Sequence, residues 1–386
     1  MFGVSLLDIL ETSRPTKYEK RWKTLIYKDL DKLQIDKEHL GKVQKNLQYN
    51  SLIGSYYDRF LQEQVNDIMI KRLDRKIEYL QMCNRFWQID RYDKQKVKDF
   101  IKTNLCRDKF CNNCKKVKQA ERMAKFMPEI KKYREYNMSQ LVLTVPNCSG
   151  EDLQDTIKRM FKSFARLIEY FKEKKKIKGI DFSWLGYKGA IRSLEVTYKK
   201  TSYHPHLHVL IIHEGENGQK EHVNCYSYNK FKKDEIRKFS EFEILVQKIW
   251  YLLNNQEKVT QKAIDVLEVG YSCMMDQFHD DDFLELFKYM TKADGLEDGK
   301  IMTYQNFKDL YHGLNNVRQI QGYGCLFRLK DEDLSELADE KYEEIINELK
   351  KEEEPVTVSQ TVQALLEDNE YMLISRKKIY KHLRKL

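Results

Sequence analysis

Apolar positions along this chain fall into two rhythms. Over residues 1–75 they recur at helical spacing in a Lys-rich background, as at Trp22, Leu25, Ile26 and Leu30. The same period predicts a basic helix over about 115–136 and an amphipathic helix over about 151–175. In the latter Met160, Phe161, Phe164, Ala165, Ile168 and Phe171 share a side. Further helices are predicted over about 233–254 and 281–292. Strict alternation instead predicts strands at Gln140 to Val145, stopped by Pro146-Asn147, at Ala190 to Tyr198 and at His204 to Ile212. Beyond residue 330 the character changes. Asp331 to Glu354 is an acidic, helix-favouring run, Pro355 breaks it, and Arg376 to Leu386 reads as a basic helix. The chain thus divides into a helical region (1–75), a Cys-containing basic segment (76–136), a strand-rich region (137–330) and a helical charged extension (331–386).

The strand around His206-Leu207-His208 carries the most chemistry. Alternate side chains of a strand share a face, so His206 and His208 point one way while Leu207 and Val209 point the other. Two neutral imidazoles about 7 Å apart along one strand face chelate a divalent cation well. The competing reading is a histidine pair that only satisfies local hydrogen bonds. On the preceding strand Ser193, Glu195 and Thr197 share one face. A four-residue loop at Lys199 to Ser202 would make cross-strand partners sum to 401, placing Glu195 opposite His206, Ser193 opposite His208 and Thr197 opposite His204. Glu195 is then the expected third ligand, with His204 on the same face as its rival. A one-residue slip would remove Glu195 from this set.

Two further constellations stand out. On the helix predicted over 281–292, Phe283, Leu286, Phe287 and Met290 form one arc, while Glu285, Tyr289 and Lys292 form another at i, i+4 and i+7. A tyrosine attacks phosphorus when a metal activates the phosphate and a cation such as Lys292 or Lys288 stabilises the phenolate. A nearby glutamate then serves as general base. Alone, the pattern is weak and more often marks an ordinary surface or core tyrosine, so the case rests on its combination with the histidines. Upstream, Cys83, Cys106, Cys111 and Cys114 fit a four-thiolate structural zinc site beside Lys115, Lys116 and Lys118, with buried thiols as the alternative. Cys148, Cys225, Cys273 and Cys325 are isolated and are expected in the core.

Composition narrows the function class. A hydrophobic fraction of 41% supports a core, and 5 Pro and 15 Gly argue against a disordered chain. The net charge of +9 and a pI near 8.8 suit a polyanionic partner, and 24 Tyr and 18 Phe supply rings on which bases can stack. No apolar run approaches the roughly 20 residues of a membrane span, and no basic stretch precedes Val4 to Leu10. The expectation is a cytoplasmic protein with reduced thiols and no membrane partner.

Three blocks, taken in order, resemble the rolling-circle replication initiators of plasmids from Gram-positive bacteria, within the HUH endonuclease superfamily. They are Leu141 to Asn147, Leu194 to Tyr198 followed by Tyr203 to Leu210, and Glu285 to Lys292. The block from Cys106 to Cys114 is also similar, although Asn112 stands where the family often has proline. The similarity covers roughly residues 75–330 and a patch over Arg14 to Lys23. It implies an α+β fold with a central antiparallel sheet carrying the histidines, flanked by helices, with 137–330 as the nickase domain. It also implies that Tyr289 nicks one strand at an origin, whether single-stranded or in a hairpin, leaving a 3′-OH primer and a 5′-phosphotyrosyl link. His206 and His208 would hold Mg²⁺ or Mn²⁺, and Glu285 would activate water at termination. Host polymerase and helicase would be partners. The rivals are a conjugative relaxase or HUH transposase, which usually shows another histidine arrangement or a tyrosine pair, and a non-catalytic origin-binding protein.

Overall fold

The computed structural model describes residues 37–94, 96–115, 126, 129–215, 224–226, 237–278, 286, 302–327, 351, 353–368 and 370–374. Two helices come first, α1 (Lys37–Gln62) and α2 (Asp67–Met82), followed by strands β1 (Phe86–Tyr92) and β2 (Val97–Thr103). Next are β3 (Asn137–Thr144), helix α3 (Leu153–Phe171), and the long strands β4 (Tyr187–Lys199) and β5 (Ser202–His213). The short strands β6 (Asn224–Tyr226) and β7 (Arg237–Phe239) precede helices α4 (Glu241–Asn254) and α5 (Gln261–Val266). The last elements are β8 (Cys273–Gln277), α6 (Tyr304–Gly313), β9 (Ile320–Gly324), β10 (Val356–Thr361), α7 (Val362–Glu367) and β11 (Met372–Ile374). No helix among the described residues is long and apolar enough to cross a membrane.

The architecture is α+β, in two compact units. One comprises residues 1–120, 295–300 and 333–386, the other residues 121–294 and 301–332. In the first unit α2 begins where the Asn66 side chain accepts the backbone N–H groups of Ile68 and Met69. Its Leu73, Ile77 and Leu80 are buried, at the i, i+4, i+7 spacing of an inward stripe. The same unit holds a four-stranded sheet in the order β10-β1-β2-β11. Here the structure departs from the helical extension expected over 331–386. Val356 to Thr361 pairs antiparallel with β1, and Met372 to Ile374 pairs parallel with β2. The alternating Val-Thr-Val-Ser-Gln-Thr run after Pro355 is β-favouring, and pairing partners more than 250 residues away complete it.

The second unit is built on a five-stranded antiparallel sheet in the order β8-β3-β5-β4-β9, with β5 at its centre. Period-2 alternation divides β5 between two faces. Leu207, Val209 and Ile211 look to the side covered by α3, where Phe161 stacks 3.4 Å from the buried Arg192 guanidinium and Phe164 packs edge-on against Tyr323. His206, His208, Leu210 and Ile212 look to the other side. Expected and observed elements differ mainly at their ends. The helix expected over 151–175 stops at Phe171, because Glu173 adopts a left-handed φ of 56°. The helix expected from 233 starts at Glu241, where Ser240 and Glu243 form a capping box and Arg237–Phe239 is a strand.

Candidate metal centres

Strands β4 and β5 bring the first cluster together. Pairing runs to Lys199 opposite Ser202, so the loop is the two residues Lys200 and Thr201, with Lys200 left-handed at φ 56°. This is shorter than the four-residue loop expected. Shortening both ends together leaves the register untouched, and Glu195 lies opposite His206, Ser193 opposite His208 and Thr197 opposite His204. The hairpin is pinned from the opposite face. The Tyr203 hydroxyl donates to Asp309 at 2.7 Å, and the Asn306 amide donates to the Tyr203 hydroxyl at 2.9 Å and to the Lys200 carbonyl at 2.5 Å. Sequence reading missed this clamp. Its one signal was Tyr203 standing on the face away from the histidines.

Glu195 Oε2 lies 2.9 Å from His206 Nε2 and 3.0 Å from His208 Nε2. One donor atom from each of the three residues falls within 4.8 Å of the others. His206 Nδ1 is 3.2 Å from the His204 carbonyl, which takes the N–H of that nitrogen and leaves the Nε2 lone pair turned toward Glu195. Two imidazole lone pairs and a carboxylate oxygen at such separations repel unless protons or a cation lie among them. Octahedral Mg²⁺ with bonds of about 2.1 Å spaces neighbouring ligands about 3.0 Å apart, so the donor set fits a hard or borderline divalent cation. Protons are the alternative to a cation: burial of Glu195 opposes its ionisation, but with an N–H on each Nε2 the hydrogen bonds from His206 and His208 prevail and hold its carboxyl well below the usual range. His204 stacks on His206 with ring centroids 5.3 Å apart and stands outside the converging trio. Its own pKa is lowered by burial and then by His206.

The rest of this sheet face is apolar. Ile191, Leu210 and Ile212 pack with Phe126, Ile130, Leu326 and Leu286, the last of which is 1% exposed. Leu286 comes from the segment predicted to carry the nucleophile. Tyr289, Glu285 and Lys292 themselves lie outside the described residues.

The chain matches the family model described as "Replication protein" over residues 97–372, more than two thirds of its length. The chain belongs to that family. "Protein rep" of Staphylococcus aureus is 32% identical over 166 residues, covering 40% of this chain and 67% of that protein. "Protein rep" of Streptococcus pneumoniae serotype 2 (strain D39) is 26% identical over 306 residues, covering 78% and 83%. No solved structure gives a significant match. Membership agrees with the rolling-circle initiator resemblance of the sequence motifs, and the matched span contains both histidines, Glu195 and the 285–292 segment.

This replication protein has a second cluster, in its other unit. Cys83 ends α2, and Cys106, Cys111 and Cys114 follow β2. Sγ–Sγ separations are 3.5 Å for Cys83–Cys111 and 3.6 Å for Cys83–Cys114 and Cys106–Cys114. These are too long for a disulfide of about 2.05 Å and close to the roughly 3.8 Å edge of a zinc–thiolate tetrahedron. Polar groups already face the sulfurs. The Arg107 N–H donates to Cys114 at 3.2 Å, the Asp108 N–H to Cys106 at 3.4 Å, and the Asn50 amide to Cys111 at 3.0 Å. Hydrogen bonding within the set lowers the Cys114 thiol and raises those of Cys83 and Cys106, so the four sulfurs share their protons rather than titrate one by one. Asp108 ties the loop down, accepting from Tyr57 Oη at 2.8 Å and Lys76 Nζ at 3.0 Å. Of the isolated cysteines, Cys273 is buried as expected, whereas Cys148 is half-buried and Cys325 is exposed, at the turn closing β9.

Proposed function

We propose that this protein starts plasmid rolling-circle replication by cutting one DNA strand at the origin through Tyr289. The Tyr289 phenol oxygen attacks the scissile phosphorus, the P–O3′ bond breaks, and the departing oxygen takes a proton to become the 3′-OH that a host polymerase extends. The 5′ end stays linked to the tyrosine. Lys292 offsets the charge on the phenolate, and Glu285 deprotonates the water that frees the protein at termination. His206, His208 and Glu195 hold Mg²⁺ or Mn²⁺, which when bound polarises the phosphate oxygens. The four cysteines hold a structural Zn²⁺. A host helicase would open the duplex ahead of the primer.

The observation that carries this reading is the convergence of His206, His208 and Glu195 on the sheet face against which Leu286 is buried. Leu286 is three residues from Tyr289, and a helix over this segment would bring both to the same neighbourhood. The test is incubation of the protein with labelled single-stranded oligonucleotides spanning the origin and Mn²⁺. An EDTA-sensitive covalent adduct is expected, absent from Tyr289→Phe, while Glu285→Ala still cuts but releases product slowly. An adduct that persists in Tyr289→Phe would move the nucleophile elsewhere.

A further inference from the structure

The far end of α3 carries the densest charge among the described residues, and the cutting chemistry does not use it. After Phe171 the chain reads Lys172-Glu-Lys-Lys-Lys-Ile-Lys-Gly179, and Lys174, Lys175, Lys176 and Lys178 are all exposed. This turn is built rather than loose. The Glu173 and Lys175 N–H groups donate to the carbonyls of Tyr170 and Glu169, Ile177 is 4% exposed and bridges to Ile180, and Gly179 takes a φ of 85°. Beneath it Phe171 packs on Phe182 and Phe242, and Trp184, 46% exposed, sits edge-on to Phe242. Lys162 and Arg166, exposed and about one helical turn apart on α3, extend the charge toward the other end of the helix.

Position separates this ridge from the metal ligands. Segment 182–186 is bonded to the end of β5, where Glu214 and Gly215 N–H groups donate to the Gly186 and Leu185 carbonyls. His206 lies seven residues back along that strand, about 23 Å at the usual rise, and looks to the opposite face from α3. A strand held at the histidines therefore does not reach the lysines without continuing past the sheet.

We propose that the lysine turn grips the phosphate backbone of duplex DNA flanking the cut, about seven or more base pairs from it. The inference rests on the reading that this chain acts on DNA, and it names where the uncut flank is held. Four closely spaced exposed lysines suit sequence-independent phosphate contacts, and the ordered backbone that carries them loses less entropy on binding than a free tail.

The test compares the full chain with a Lys174→Gln, Lys175→Gln, Lys176→Gln, Lys178→Gln variant, all four positions being exposed. Affinity for a mixed-sequence duplex is measured against salt concentration. The expected result is a loss of at least about tenfold at 0.1 M salt and a log–log salt slope shallower by about 2 to 4. Covalent adduct formation on a short single strand spanning only the cut should be unchanged. Equal slopes with normal adduct formation would overturn the ridge alone. Vesicles containing phosphatidylglycerol that bind the wild type but not the variant, with DNA slopes unchanged, would overturn it in favour of a membrane surface. Slopes that differ although neither protein forms an adduct would leave the ridge standing and remove the cutting chemistry instead.

Discussion

The two ligand clusters are held in opposite ways. Glu195 lies 11 and 13 residues from His206 and His208, on neighbouring strands of one continuous ladder, so the backbone would hold the trio in place with or without a cation. The thiols of Cys83, Cys111 and Cys114 are joined across 28 and 31 residues, and residues 104–108 leading into the cluster have no regular structure. There the chain is held by side-chain contacts such as those of Asp108 with Tyr57 and Lys76, and a bound ion would add the ties that a strand ladder supplies at the histidines. Openness differs too. The His206 and His208 side chains keep 12% and 15% exposure, whereas Cys83 and Cys111 are fully buried. An open donor set on a rigid sheet suits exchange of oxygen ligands, and a closed thiolate set suits an ion that stays.

That contrast breaks most visibly at the cysteines. Cys111→Ser, or metal stripped by a strong chelator, should cost the first unit several kcal/mol, read as lost zinc content and lost hydrogen-exchange protection in β1 and β2. An unaltered melting curve would show the thiols to be simple core residues. His208→Ala should leave exchange protection in β3, β4 and β5 intact while slowing adduct formation at least about a hundredfold in Mn²⁺. Glu195→Gln should weaken cation affinity by about ten- to a hundredfold, and it should also change the acid limb of the metal-free protein. Because the Glu195 carboxyl is held low in the fold, its contribution to stability is present above the unfolded value of about 4.3 and fades as pH falls below it. The Gln variant should therefore unfold with a flatter pH dependence in that window. Smallest is the hairpin clamp: Tyr203→Phe should cost about 1 kcal/mol in chemical denaturation, with the metal trio still formed.

Local periodicity revealed some of this and concealed the rest. Strand β3 and the first half of β5 alternate in burial, whereas β4 from Gly189 to Val196 is buried on both faces and shows itself by its β-branched and apolar content. The 401 pairing sum survived a wrong loop length because both strand ends grew equally. Strands β1 and β2 escaped notice: their Phe-Trp-Gln-Ile-Asp-Arg-Tyr and Val-Lys-Asp-Phe-Ile-Lys-Thr runs mix charges into both faces, and a bulge at Gln88/Ile89 breaks the alternation. Buried Lys98 is tolerated there because Asp368 and Gln360 meet its ammonium. Those partners lie more than 260 residues away, a distance no sliding window spans. The acidic trio member was legible only through cross-strand register, and the exposed Cys325 only through three-dimensional placement.

Chain order in the first sheet has a consequence for synthesis. Both outer strands, β10 and β11, come from residues 356–374, whereas the inner pair is complete by Thr103. At ribosomal speeds of about 5 to 20 residues per second, that inner hairpin waits on the order of ten to fifty seconds with two raw edges while the whole histidine-bearing unit is made. A newborn chain in this interval is a natural client for a chaperone, and a product interrupted before residue 356 would emerge with those edges still open.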